Sequence, residues 1–207
     1  MANTLPKKDI KIDVQPLRTA KEIKEMRDAL NVAGKKRNQS ARNLLLFNIG
    51  INTGLRISDI VTLKVDDVRG KSSVLVREGK TKKMRTVHLS ALMADIADYI
   101  ETLELSCNSQ DAVWLFPSRN GSGAGKTAGH ISTTQAYRIL TGAAELLGRK
   151  DIGTHTMRKT FGYFYYKRTH DVATLMEIFN HDSQATTKRY IGIREDEIAE
   201  TLRDFKL

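Results

Sequence analysis

Apolar positions recur at helical spacing through most of this chain, with one interval where the period shortens to two. The first helical stretch opens on Thr19-Ala20-Lys21-Glu22. This is a capping box: the threonine hydroxyl caps the backbone at Glu22 and the carboxylate reaches back. Ile23, Met26 and Leu30 follow on one face, and Gly34 with the basic loop Lys35-Lys36-Arg37 predicts the end. A second helix is expected from about Ser40. Leu44, Phe47 and Ile51 line one side of it and Leu45 and Ile49 another, the all-round apolarity of a helix buried within its domain. Gly54 stands where a left-handed residue would close it, and 57–63 reads as a further helical piece.

The period then changes. Residues 73–77 and 84–89 alternate around Gly79-Lys80-Thr81-Lys82-Lys83, which predicts a β-hairpin. After Ser90, an expected N-cap, Met93, Ile96, Ile100 and Leu103 restore the helical period. Val113-Trp114-Leu115-Phe116 reads as a buried strand or packed loop ending at Pro117, and 120–129 as a Gly/Ser-rich loop. Further helices are expected over roughly 131–147, 156–168, 171–179, 183–191 and 194–205. Residues 1–16 hold Pro6 and Pro16 and show no period, so they read as an N-terminal arm or linker before one domain over 17–207. The expected class is mainly α with a small antiparallel β-sheet (α+β).

Charge narrows the choice of partner. The 34 Lys and Arg against 24 Asp and Glu leave +10, a balance that favours a polyanion, nucleic acid before membrane. Cys107 is the only cysteine, which rules out an intrachain disulfide and a cysteine-rich zinc site. Apolar runs such as Leu44-Leu45-Leu46-Phe47 are too short to span a bilayer, and Lys7, Lys8, Asp9 and Lys11 break up any secretory core. A cytoplasmic location without membrane contact is the expectation. Gly121-Ser122-Gly123-Ala124-Gly125-Lys126-Thr127 lacks the first glycine of a P-loop and has no strand leading into it, so it reads as surface loop.

The candidate chemistry lies in the order of a few polar residues. His155-Thr156-Met157-Arg158 puts an imidazole and a guanidinium on one helical face. Phe179-Asn180-His181 follows, and Arg189-Tyr190 ends the next short helix. Neither histidine has a cysteine or His-x-x-x-His partner, and Arg158 would repel a cation, so no metal and no cofactor are expected. Two histidines, an arginine and a tyrosine suit an anionic substrate and a hydroxyl nucleophile.

Together with Thr53-Gly54-Leu55-Arg56-Ile57-Ser58-Asp59 and the hairpin lysine Lys80, these motifs resemble the tyrosine recombinase (phage integrase) family from about Leu17 to the end. The resemblance implies the catalytic-domain fold of that family. It also implies a site-specific DNA recombinase that cleaves and rejoins DNA through a 3′-phosphotyrosyl link without metal or ATP. By resemblance Tyr190 is the nucleophile, Arg56 and Arg158 grip the scissile phosphate, and His155 takes the phenolic proton or bonds the phosphate. His181 donates to a non-bridging oxygen, Lys80 protonates the leaving 5′ oxygen, and Asp59, one turn from Arg56, orients that guanidinium.

Three features depart from the family pattern. Thr81 follows the lysine where glycine is usual, leaving Lys82 and Lys83 as competitors of Lys80. Asn180 replaces the usual glycine before the second histidine, a residue that tolerates a left-handed backbone. Many members of the family carry a separate core-binding domain before the catalytic one, a place that this sequence fills with the short arm before Leu17, whether trimmed or naturally minimal. Phosphate contact would then fall to Lys7, Lys8, Lys11, Lys35, Lys36 and Arg37, with Lys82 and Lys83 on the hairpin. The partner implied by the resemblance is double-stranded DNA. The stripe Ile193, Ile198, Leu202 and Phe205 implies, by resemblance, a homodimer or homotetramer on DNA through the C-terminal helix. Two other readings remain at this point: a type IB topoisomerase-like nicking-closing enzyme, and a non-catalytic DNA-binding regulator.

Overall fold

A computed structural model of the chain describes residues 13–34, 36–79, 82–107, 113–118, 129–193, 202–203 and 205–206. The first helix, α1 (Ala20–Ala33), begins with both halves of the expected capping box. Glu22 N–H donates to Thr19 Oγ1 at 3.1 Å, and the Glu22 carboxylate accepts from Thr19 N–H at 3.0 Å. Helix α2 (Arg37–Thr53) starts three residues earlier than its apolar spacing indicates. Backbone N–H groups of Gln39 and Ser40 both bond to Lys36 O, which winds the basic loop into the first turn. Ser40 is therefore inside the helix, where its hydroxyl donates to Asn31 O and Gly34 O and fastens the end of α1.

Leu45, Leu46, Phe47 and Ile49 of α2 are buried, and the helix packs against α1, α5 (Met93–Cys107) and α7 (Thr154–Thr169). Gly54 closes α2 in the left-handed region at φ 64°, where a Cβ would also meet Phe161 at 2.5 Å. Helix α3 (Ile57–Ile60) is shorter than expected, because the chain turns at Val61 and extends to pair with the 113–116 segment. Leu115 N–H donates to Leu63 O, and Val65 N–H, at the start of α4 (Val65–Val68), to Val113 O. The 113–116 segment is thus a bridged, packed stretch outside the sheet.

That sheet, among the described residues, is the antiparallel pair β1 (Ser73–Arg77) and β2 (Met84–His88). Its register sets Val74 opposite Val87 and Val76 opposite Arg85. Side chains alternate across a strand, so Arg85 shares the inward face of buried Val87, while Leu75 points out. Ser90 opens a 3₁₀ turn (Ser90–Leu92) ahead of α5 instead of capping that helix directly. Helices α6 (Thr133–Leu146), α7, α8 (Val172–Phe179) and α9 (Gln184–Ile191) complete the described chain. The expected loop over 120–129 lies outside the described residues except for Gly129. The expected 194–205 helix does too, except for Leu202, Arg203 and Phe205. No helix among the described residues is long and apolar enough to cross a membrane.

Two apolar clusters result. The larger gathers α1, α2, α5, α6 and the hairpin, with Leu17, Phe47 and Phe116 fully buried in it. The smaller is formed by Leu175, Phe179 and Ile191, with Phe161, Tyr165, Tyr190 and Ile193 around them. Gly162 of α7 lets this second cluster close: a Cβ there would lie 2.6 Å from Ile191 and 2.7 Å from Phe179. Gly142 of α6 is the contrasting case, with nothing within 4 Å of an added Cβ. Gly162→Ala is expected to destabilise by about 1–3 kcal/mol through overpacking. Gly142→Ala should stabilise by roughly 0.5–1 kcal/mol through helix propensity. Urea unfolding of both variants checks the pair; equal signs would contradict the packing described.

Candidate active site

Arg158 is the residue around which the site is assembled. It lies one turn after His155 on α7 and is 2% exposed. Its Nη1 donates to Gly54 O at 2.6 Å, its Nη2 to Phe179 O at 2.8 Å, and its Cζ sits 4.3 Å from the Phe179 ring centre. One guanidinium thus joins the turn before Arg56 to the turn before His181. Burial, then the neighbouring charge of Arg56, brings its pKa down to about 10. It therefore stays cationic at neutral pH.

Arg56 caps α3 and pairs with Glu78 at 2.7 Å; Glu78 is 2% exposed. The carboxylate on Arg56 is thus Glu78, whereas Asp59 accepts from Gly79 N–H at 3.0 Å and from the Ser58 hydroxyl at 3.2 Å. Asp59 ties down the hairpin turn next to the position of Lys80. A third guanidinium, Arg85, donates to Thr53 O at 2.8 Å, and burial lowers its pKa against the opposing pull of Glu78. Three arginines and two carboxylates are gathered where α2, α3 and the hairpin meet, leaving a positive field.

The nucleophile candidate completes the group. Tyr190 OH lies 3.0 Å from His155 Nδ1, and with the imidazole proton on Nε2 the phenol donates to that nitrogen. Burial raises the pKa of Tyr190 above its usual value, while Arg158 and Arg56 pull it partly back. The ring packs against Phe179 and His181 at centroid distances of 5.6 and 5.2 Å. His181 follows Asn180, which is left-handed at φ 50°, as its type allows. Thr187 of α9 is fully buried, and its hydroxyl donates to Ser183 O at 3.2 Å. Its oxygen thereby accepts from His181 Nδ1 at 3.0 Å, which orients that ring.

Five of the expected residues, Arg56, His155, Arg158, His181 and Tyr190, are therefore brought together around the two arginine-bound turns. Lys80 and Lys35 lie outside the described residues, as do Lys7, Lys8, Lys11 and the side chain of Arg37. Lys36 is exposed at the start of α2, and Lys82 is exposed in the hairpin turn at φ 60°. Lys83 Nζ donates to the Asn180 side-chain oxygen at 2.7 Å, linking the hairpin to the His181 turn. Glu78, Arg85 and Thr187 were not anticipated. Only Arg85 had a sequence signal, since strand alternation puts it on the face of Val87. Among the described residues no group of three His, Cys, Asp or Glu is placed to hold a metal ion.

The arrangement offers a base, a hydroxyl and preorganised cations to an anion, which is what attack on a phosphodiester requires. The phenol itself should ionise late. In a spectrophotometric titration, the difference between wild type and Tyr190→Phe is expected to show a phenolate midpoint above 10. The raised pKa also means that the folded state holds this proton longer than the unfolded one. The stability of wild type relative to Tyr190→Phe should therefore fall as pH rises past 10. A midpoint at or below 10 would contradict the burial of the ring.

Comparison with known proteins bears on the family and the fold. A profile of the phage integrase family matches residues 18–197. The probable integrase/recombinase YoeC of Bacillus subtilis is 43% identical over 184 residues, covering 88% of this chain and 92% of that one. Tyrosine recombinase XerD of Corynebacterium glutamicum is 29% identical over 164 residues, 78% of this chain but 52% of its own length. The chain thus spans nearly all of YoeC and about half of XerD. Among solved structures, the site-specific recombinase XerH on a palindromic difH substrate, in a post-cleavage complex, aligns with TM-score 0.72 at 22% identity. That alignment covers 91% of this chain and 52% of the XerH chain. The catalytic domain of bacteriophage HP1 integrase aligns with TM-score 0.56 at 18% identity, over 92% of this chain and 95% of that domain. These structural likenesses show the fold, that of a tyrosine recombinase catalytic domain. The profile and the YoeC similarity go further: this chain belongs to the phage integrase family.

Proposed function

We propose that the chain is a site-specific DNA recombinase in which Tyr190 attacks the scissile phosphodiester. The observation that carries this reading is the 3.0 Å approach of the Tyr190 hydroxyl to His155 in the same chain, beside the Arg56 and Arg158 guanidiniums. A phosphodiester repels nucleophiles, and its transition state gathers negative charge on the phosphoryl oxygens. Planar guanidinium forks stabilise that charge better than point-charge ammoniums. Arg56 and Arg158 serve this purpose, with Glu78 holding Arg56 in place, and His181 adds a donor whose orientation Thr187 sets.

The bond balance is simple. The Tyr190 oxygen bonds to phosphorus as the P–O5′ bond breaks, His155 receives the phenolic proton, and Lys80 supplies a proton to the departing 5′ oxygen. The 3′-phosphotyrosyl link keeps one phosphodiester bond for another, so rejoining runs the same steps backwards without ATP, metal or cofactor. Asp59 supports the acid by holding Gly79, the residue before it. Lys35, Lys36, Arg37, Lys82 and Lys83 contribute contacts to the backbone of double-stranded DNA.

Exchange between two sites needs partner subunits. Exposed Leu202 and Phe205 support a homodimer or homotetramer formed on DNA through the C-terminal segment. Residues 13–16, expected as part of an arm, pack on the domain through Val14 O and Gln15 N–H; the residues ahead of them serve as the arm, and the protein works in the cytoplasm.

A suicide substrate with a nick near the cleavage site tests the chemistry. Wild type is expected to leave a covalent protein–DNA band on a denaturing gel, and Tyr190→Phe none. The same band from both would overturn the assignment. Lys80→Ala, but not Lys82→Ala, should lose cleavage that a bridging sulfur at the 5′ leaving position restores, because a thiolate leaves without protonation. Equal behaviour of the two lysine variants would remove Lys80 as the acid.

A further inference from the structure

The strap of residues 13–18 touches two helices of the site at once. At one end, Val14 O accepts from Lys159 Nζ at 2.5 Å, and the Asp13 carboxylate lies 3.7 Å from the same ammonium. The Lys159 side chain is only 14% exposed, and its Nζ sits 5.6 Å from the centre of the Tyr190 ring. The adjacent cations of α7 therefore diverge. Arg158 secures the Gly54 and Phe179 turns, while Lys159 lies between the strap and the nucleophile's ring.

At the other end, Arg18 Nη2 donates to Gly192 O at 2.8 Å while its Cζ lies 5.1 Å from the Tyr163 ring centre. Gly192 is the left-handed cap of α9, two residues after Tyr190, at φ 73°. Between these anchors, Leu17 N–H donates to Thr160 Oγ1 and Gln15 N–H to Asp151 O, each at 2.9 Å. The strap is thus bonded to α7 and its approach along its length and grips the end of α9. Helix α9 has only eight residues, so its own backbone is a weak determinant of where a side chain near its end will sit. External contacts must supply that precision, and a phenol displaced by an ångström loses its line of attack.

We propose that Arg18 and Lys159 are positioning residues for Tyr190. Through the strap they hold the end of its helix and one side of its ring, keeping the hydroxyl within reach of His155 of the same chain. Neither residue touches the phosphate. The inference rests on Tyr190 being the nucleophile.

The test uses the full chain and the nicked substrate, comparing wild type with Arg18→Gln, Lys159→Met and Lys159→Arg. Methionine keeps the apolar stem of Lys159 and removes its charge; arginine keeps a cation beside the ring. Single-turnover cleavage under saturating protein is expected to slow roughly 10–100-fold in Arg18→Gln and Lys159→Met, the range set by misplaced reacting groups. DNA affinity should stay within about twofold, and Lys159→Arg should recover most of the rate. A bridging sulfur at the 5′ position, which relieves loss of the general acid, should leave the deficit of both variants relative to wild type unchanged, because their defect is on the attacking side.

Wild-type rates in both variants would overturn the proposal, as would rates that fall only in step with DNA affinity or with unfolding at the assay temperature. If Lys159→Met unfolds, Arg18→Gln decides the matter by the same criteria. Absence of any wild-type adduct would instead refute the reading of Tyr190 itself.

Discussion

A buried guanidinium with both terminal nitrogens bonded to carbonyls governs this site. Taking the Arg158 charge out of water is costly unless its donors are satisfied, and the two carbonyls come from segments far apart in the chain. Satisfying it draws the Gly54 turn and the Phe179–Asn180 turn onto α7. The residues that follow those turns, Arg56 and His181, are thereby brought to the same place. The price of holding one cation becomes the means of arranging several candidate catalytic groups. Mutual repulsion among Arg56, Arg85 and Arg158 is offset by Glu78, whose near-complete burial gives its pairing with Arg56 a low-dielectric setting.

The proposed nucleophile lives under an opposite constraint. Tyr190 belongs to the small apolar cluster of α7, α8 and α9, which locates its ring but disfavours the phenolate. The arginines counter that penalty only in part, so the proposed attack calls for a base to take the proton. His155 is exposed at the start of α7 and within hydrogen-bond distance, which suits it to that task.

Much of this was legible in the sequence because the signals were local or chemical. The 3.6-residue spacing located α1, α6, α7 and α8, and period-two alternation located the hairpin within a residue. Gly54 and Asn180 were readable as left-handed positions from residue type alone. His155, Arg158, His181 and Tyr190 could be singled out because their types and order suit one reaction, and the fold brings them together. The supporting contacts were not readable. Arg56 finds Glu78 22 residues away, Arg85 finds Thr53 at 32, and Lys159 and Arg18 reach across 145 and 174 residues. No local pattern encodes such pairings, and residues 13–16 lack the periodicity that would have marked them as packed. The start of α2 was misplaced for a related reason: Lys36 O draws the basic loop into a helical turn that its polar composition does not announce.

The central claim is that one tyrosine forms the covalent bond to DNA through a 3′ phosphate. Mass spectrometry of the trapped complex addresses it directly. After nuclease treatment and trypsin digestion, cleavage at Arg189 and Arg194 releases the peptide Tyr190-Ile191-Gly192-Ile193-Arg194. This peptide is expected to carry the residual nucleotide, joined to the Tyr190 oxygen through the nucleotide's 3′ phosphate. A nucleotide found on any other peptide, or joined through a 5′ phosphate, would contradict it.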